Sequence, residues 1–143
     1  MNRPDILVIG SGIAGLTFAI KAAAKHSVYI VTKRELEESN TNYSQGGIAA
    51  VISKTDSVDS HVADTLSAGG GLCDEQIVRD ICEQGPDLIR ELQKWGVAFS
   101  LSEDEKYFEL GLEGGHSHRR ILHVGDITGR EVQRILCAAA RKN

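Results

Sequence analysis

The chain has 143 residues, with 25% charged and 41% hydrophobic. This is globular composition; it excludes a disordered or collagen-like chain, and the length allows one real core. The formal net charge of −4 argues against a nucleic-acid or anionic-membrane surface. The cysteines Cys73, Cys82 and Cys137 are odd in number and form no C-x-x-C, which points to free thiols in a reducing compartment. MNRPDILVIG enters a short apolar run directly, too short for a signal core or a membrane span. A cytoplasmic protein with no membrane or nucleic-acid partner is the expectation.

Ile6-Leu7-Val8-Ile9 is short, continuous and β-branched, which predicts a fully buried parallel strand. Ile13, Leu16, Thr17, Ile20 and Ala24 follow at helical spacing, and Val28–Thr32 reads as a second strand. Strand, glycine turn, helix and strand make a right-handed βαβ unit over 5–33. No long periodic segment occurs from 33 to 58; VISKTDS is strand-like or turn-like. Asp59 or Ser60 could cap a short helix through Leu66, ended by Gly69-Gly70-Gly71. Asp74 caps a further helix, which Gly85-Pro86 interrupts; Pro86 suits the first position of a second helix or a kink. Gly96 stops that pattern. Residues 97–112 suggest a short hairpin or paired strands with SEDEK as the turn, GGHSHRR a loop, and Thr128 with Glu131 a capping box for a last helix. No clear third parallel strand is visible, and no glycine stops the last helix, so the chain resembles the front portion of something larger.

Gly10-Ser11-Gly12-Ile13-Ala14-Gly15 is a G-x-G-x-x-G placed after a strand and before an apolar helix. The first glycine permits the tight turn, the second lets a pyrophosphate approach, and the third lets helix pack on strand. The diphosphate would sit on free N–H groups at the positive end of the helix. The acid expected at the end of the second strand is replaced by Thr32-Lys33-Arg34. Lys33 or Arg34 could hold the 2′-phosphate of NADP, or lie along the adenosine end of FAD. Ser39, Asn40, Thr41, Asn42, Tyr43, Ser44 and Gln45 are successive hydrogen-bonding side chains, followed by Gly46-Gly47. Such a run suits a long polar ligand with a flat ring, as FAD has; as composition alone it also fits a solvated loop.

GSGIAGL, SNTNYSQGGIAAV, DSHVADTLSAGGGLCD and EGGHSHRRILHVGDITGREV occur in this order across essentially the whole chain. Together they resemble the L-aspartate oxidases, within the wider succinate dehydrogenase/fumarate reductase flavoprotein family, over about the first quarter of such an enzyme. The resemblance implies an α/β fold: a Rossmann-like FAD/NAD(P)-binding domain, three-layered with a parallel sheet, here as an incomplete N-terminal portion. It divides the chain into the dinucleotide unit 5–33, a flavin-binding segment 39–52 and a helical and substrate-loop region 59–143. Ser11 to Ala14 would meet the FAD diphosphate, Lys33 the adenosine side, and Asn40 to Gly47 the ribityl chain and ring. Relatives that oxidise succinate carry a histidine bonded to the flavin; Asn40 at the matching position implies non-covalent FAD.

His116, His118 and His123 with Cys137 fit no standard zinc spacing. The resemblance instead places EGGHSHRR near the substrate pocket, with Glu113 facing the ammonium of L-aspartate, a charge-assisted contact that succinate would lack; a solvated loop acid is the plainer alternative. His116, His118, Arg119 and Arg120 could supply positive charge near a dicarboxylate or the reduced flavin, without individual roles. Asp126, in a Gly-Asp pair, reads as a loop or capping residue. The implied reaction is oxidation of L-aspartate to iminoaspartate, first in NAD biosynthesis, with oxygen or fumarate as electron acceptor and quinolinate synthase as the consumer of the product. No catalytic residue is expected within this chain. The alternatives are a fumarate reductase-like or succinate dehydrogenase-like flavoprotein, and a non-catalytic nucleotide-binding fragment.

Overall fold

The structure, a computed structural model, describes residues 3–142. The elements in chain order are β1 (Ile6–Ile9), α1 (Ile13–Ala23), β2 (Val28–Val31), α2 (Asn40–Tyr43), β3 (Ile48–Ala49), α3 (Val58–Ala68), α4 (Glu75–Trp95), β4 (Leu110–Gly111), β5 (Ile121–Leu122) and α5 (Thr128–Lys142). The chain forms two compact units. The first holds the residues up to Gln45, Trp95–Val97 and those from Ile127 on; the second holds Gly46–Lys94 and Ala98–Asp126.

In the first unit β1 and β2 pair in parallel, with Ile6 opposite Val28 and Ile9 opposite Val31. The α1 helix connects them, and the βαβ unit expected from the sequence is present. β1 is not, however, buried on both faces. Val8 is 8% exposed, whereas Leu7, Ile9, Tyr29 and Val31, which share the opposite face, are 52–83% exposed. Side chains alternate along a strand, and α1 covers only the face of Val8: a Cβ on its Gly15 would lie 3.4 Å from Val8 Cγ1. An apolar run records an affinity for cover on both faces, not the cover itself. The last helix, α5, turns Val132, Gln133, Leu136 and Cys137 inward.

The second unit contains a sheet that the sequence did not reveal. β3 and β4 flank β5 in an antiparallel sheet, with Ala49 and Gly111 both opposite Ile121. Two-residue strands carry no readable period. The expected hairpin is present as an antiparallel bridge between Leu101 and Phe108. α3 begins at Val58 and is capped by Ser57, whose Oγ accepts the Ser60 N–H at 3.1 Å, rather than by Asp59 or Ser60; it runs to Ala68, not Leu66. Asp74 caps α4 as expected, accepting the Ile77 N–H at 3.0 Å.

The break expected at Gly85-Pro86 does not occur. α4 is one helix with Pro86 inside it. Proline removes one interior hydrogen bond, but Val78, Cys82, Ile89 and Leu92 form a single buried stripe on both sides of it. Cys82 and Val78 pack with Val62 of α3, and continuous burial outweighs the lost bond. Among the described residues no helix is long and apolar enough to cross a membrane.

Candidate functional site

The first unit carries the glycine turn. Gly10 has φ of +107°, the region that favours glycine, and its N–H donates to the Val31 carbonyl at 2.8 Å. A Cβ on Gly15 would lie 2.3 Å from the Gly10 carbonyl oxygen, so position 15 must also be glycine. Gly12 precedes α1 and offers no side-chain cap, and the first turn holds no acid. The Ile13 N–H donates to Thr41 Oγ1 at 3.1 Å. The N–H groups of Ala14 and Gly15 have no hydrogen-bond partner among the described residues. Two free donors at the positive end of an eleven-residue helix make an anion site.

Ser11 is buried, and its hydroxyl pairs with Thr32 Oγ1 at 3.1 Å. Lys33 and Arg34 are exposed after β2, and Arg34 lies 3.9 Å from Glu38. The run after Ser39 is not an extended loop. Asn40–Tyr43 form one helical turn, and Thr41 of that turn meets the glycine loop. Asn40, Tyr43, Ser44 and Gln45 are exposed, while Thr41 and Asn42 are half-buried. Tyr43 donates to the Glu38 carboxylate. The Ser39 hydroxyl is buried with no hydrogen-bond partner among the described residues, a polar group left for a ligand or water to satisfy.

Two residues missed from the sequence hold this arrangement. Gln133, fully buried on α5, donates from Nε2 to the carbonyls of Ser11 at 2.8 Å and Leu36 at 3.0 Å. Gly129 brings α5 against α2: its N–H donates to the Ser44 carbonyl at 3.1 Å, and a Cβ there would lie 2.1 Å from the Thr41 carbonyl oxygen. The available signal was a glutamine on the apolar face of the last helix.

In the second unit Gly47 has a packing reason to be glycine: a Cβ would meet Ile121 Cγ2 and the Leu122 carbonyl oxygen at 2.3 Å. Gly46 is exposed, and a Cβ on it would come 3.2 Å from Oε1 of Glu113, itself exposed. Loop 112–119 is closed at its base by the Arg120 N–H donating to the Gly111 carbonyl at 3.1 Å. The Arg120 side chain is fully buried. Its Nε and Nη2 reach Asp56 at 2.9 and 2.8 Å, its Nη1 reaches Asp64 at 2.6 Å, and Nη2 also meets Ser60 Oγ at 3.2 Å. Ser117 adds its N–H and hydroxyl to Asp64, both at 2.8 Å. His118 Nδ1 lies 3.0 Å from Ser60 Oγ.

These contacts shift the acids. The Ser117 N–H, with the Ser117 hydroxyl and Arg120, outweighs desolvation and holds Asp64 down at about 2. Burial alone would raise Asp56, but the Arg120 fork and the Ser57 N–H bring it below the usual carboxylate range. Burial, then the charges of Arg120 and His116, lower His61, whose ring meets that of His116 edge-on at 6.0 Å. Thus Arg120 is a buried structural cation, not the free positive charge the sequence allowed. Arg119 and His123 lie apart from that cluster; Arg119 reaches the Leu110 carbonyl at 3.4 Å and His123 lies 4.0 Å from Glu109. No group of three metal-ligating side chains occurs among the described residues. Asp126 lies in the turn before α5.

A parallel βαβ unit with a glycine turn and unpartnered helix donors defines a dinucleotide-binding domain. The chain belongs to the FAD binding domain family, whose profile matches residues 5–143. This decides between NADP and FAD in favour of FAD, and the glycine turn with its free donors fits the FAD diphosphate. Among curated proteins it is similar to L-aspartate oxidase 2-a, chloroplastic, of Nicotiana tabacum, 52% identical over 139 residues, covering 97% of this chain and 21% of that protein. L-aspartate oxidase of Vibrio cholerae is 48% identical, over 92% of this chain and 25% of that protein. The chain thus spans a fifth to a quarter of the length of these relatives. Among solved structures, the Mycobacterium smegmatis Sdh1 complex in the apo form superposes with TM-score 0.89 at 34% identity, covering 95% of this chain and 23% of that one. The E. coli quinol fumarate reductase superposes with TM-score 0.90 at 27% identity, covering 97% and 24%.

Proposed function

We propose that this chain is the FAD-binding front part of a flavoenzyme that oxidises L-aspartate to iminoaspartate. The observation that carries the cofactor reading is the pair of unpartnered N–H groups on Ala14 and Gly15, at a turn where glycine is required at position 15. In the first unit the turn 10–15 takes the diphosphate, Lys33 lies toward the adenosine side, and Asn40, Thr41, Asn42, Tyr43, Ser44 and Gln45 offer hydroxyls and amides to the rest of the cofactor. In the second unit Gly46 and Gly47 offer bare backbone, and Glu113 accepts the substrate ammonium. The flavin, when bound, supplies hydride acceptance from the amino-bearing carbon of L-aspartate. The Asn40 amide has no imidazole nitrogen for a bond to the ring, so FAD is held non-covalently.

The electron acceptors are oxygen or fumarate, and the product is the imine that quinolinate synthase would consume. The names of the plant relatives place those proteins in chloroplasts; for this chain a cytoplasmic location is the reading, and the free thiols of Cys73, Cys82 and Cys137 fit a reducing compartment of either kind. The first test is the absorbance spectrum of the purified chain after mixing with FAD and gel filtration. Flavin that co-elutes and is released by denaturation supports the reading. A folded chain that retains no flavin and binds NADP instead would refute it. The second reading, a succinate-oxidising or fumarate-reducing flavoprotein, is favoured by the solved structures the chain superposes on. Preference for succinate over L-aspartate in a full-length enzyme carrying this segment would establish it.

A further inference from the structure

We propose that Arg120 is a positioning residue that sets where the Glu113 carboxylate lies; this rests on the reading of Glu113 as the ammonium acceptor. Glu113 is exposed in an eight-residue loop, 112–119, that contains Gly114 and Gly115. Nothing in the loop's own composition would hold a carboxylate still. Its surroundings do. The Arg120 main chain ties the base of the loop to β4 and to the residue after β3: its N–H donates to Gly111, and its carbonyl accepts the Ala50 N–H at 3.0 Å. The Arg120 side chain ties the same point to Asp56, ahead of α3, and to Asp64, within α3. Asp64 is shared: it accepts Arg120 on one oxygen together with the N–H and hydroxyl of Ser117, in the returning limb of the loop. One buried guanidinium and one carboxylate therefore fix both the base and the return of the loop, and Glu113 is left against Gly46.

The fork is specific to arginine. Lysine keeps the charge but cannot span two carboxylates with planar, paired donors. The expected consequence is selective. A misplaced Glu113 costs binding of a ligand with an ammonium and leaves untouched a dicarboxylate without one.

The test uses a full-length, FAD-loaded enzyme carrying this segment. Steady-state kinetics give KM for L-aspartate and the inhibition constant of succinate, in the parent, Glu113→Gln, Arg120→Lys, Asp64→Asn and the double variant Glu113→Gln with Arg120→Lys. Amide exchange across 112–119 is measured in the same proteins. Arg120→Lys should raise KM for L-aspartate about tenfold, with a smaller change in kcat, no change in succinate inhibition and faster exchange in the loop. In the Glu113→Gln background it should add little, because the two changes remove one contact. Asp64→Asn should act in the same direction, and it decides the question if Arg120→Lys does not fold. Equal weakening of L-aspartate and succinate, or additive effects in the double variant, would overturn the proposal. If Glu113→Gln alone leaves KM unchanged, the ammonium reading fails, and the positioning role fails with it. If Glu113→Gln raises KM while Arg120→Lys and Asp64→Asn do not, only the positioning role fails.

Discussion

Gln133 reaches across 122 positions of sequence to donate to the carbonyl of Ser11 at 2.8 Å. The same Nε2 takes the Leu36 carbonyl at 3.0 Å, so one amide on the last helix fastens the glycine turn and the segment after β2. Gln133→Leu fits the apolar face but leaves two carbonyls without this donor. It should destabilise the chain by about 1–3 kcal/mol, read as a lowered urea midpoint with an unchanged slope. Retention of FAD should fall with it.

Gly12 and Gly15 should fail differently. Gly15→Ala forces a Cβ to within 2.3 Å of the Gly10 carbonyl oxygen; something in the turn must shift, and the folded state loses stability. Gly12 has an ordinary φ of −72°, and its nearest neighbour to a Cβ, Thr41 Oγ1, is 3.6 Å away. Gly12→Ala should therefore fold with a near-parent thermal midpoint but bind FAD at least about tenfold more weakly, because the methyl occupies the approach of the diphosphate. Thermal unfolding and flavin titration, run together, separate the two.

The contrast shows what the sequence could and could not carry. The glycine turn was legible because each glycine answers a local constraint, and the flanking apolar runs gave its setting. The Asp74 cap and the hairpin through Leu101 and Phe108 were legible for the same reason. β3, β4 and β5 were not: their stability lies in pairing partners up to 74 residues apart, such as Ile48 and Leu122. Pro86 misled because a local penalty was read without the stripe of Val78, Cys82, Ile89 and Leu92 that overrides it. Arg120 appeared as one more basic loop residue. Its burial depends on Asp56 and Asp64, and neither is marked in the sequence as its partner.

Arg120→Met should be among the most damaging single changes. It leaves Asp56 buried with no arginine and removes one of the donors to Asp64. Breaking a buried pair from one side costs about 3–5 kcal/mol. Chemical denaturation should show that loss, and Arg119→Met, on an exposed neighbour, should change the midpoint little.

The same acids set an acid limit. The unfolded carboxyl of Asp64 titrates near 3.8 and the folded one near 2. Between these values the unfolded chain binds more protons, so this stabilisation is complete above 3.8 and is lost as pH falls toward 2. His61 works higher. Its ordinary value of 6.5 is lowered in the fold, first by burial and then by the Arg120 and His116 charges. Stability from neutral His61 is full above 6.5 and declines as pH falls through the folded value. Urea midpoints across pH should show both declines. His61→Asn should remove the upper one, and Asp64→Asn the lower.

The most direct measurement is the visible absorbance of a full-length enzyme carrying this segment, purified with its flavin and mixed without oxygen with L-aspartate or with succinate. L-aspartate should bleach the flavin band, succinate should not, and all the flavin should be released on denaturation. A flavin bleached by succinate and indifferent to L-aspartate, or one that stays with the denatured protein, would contradict it.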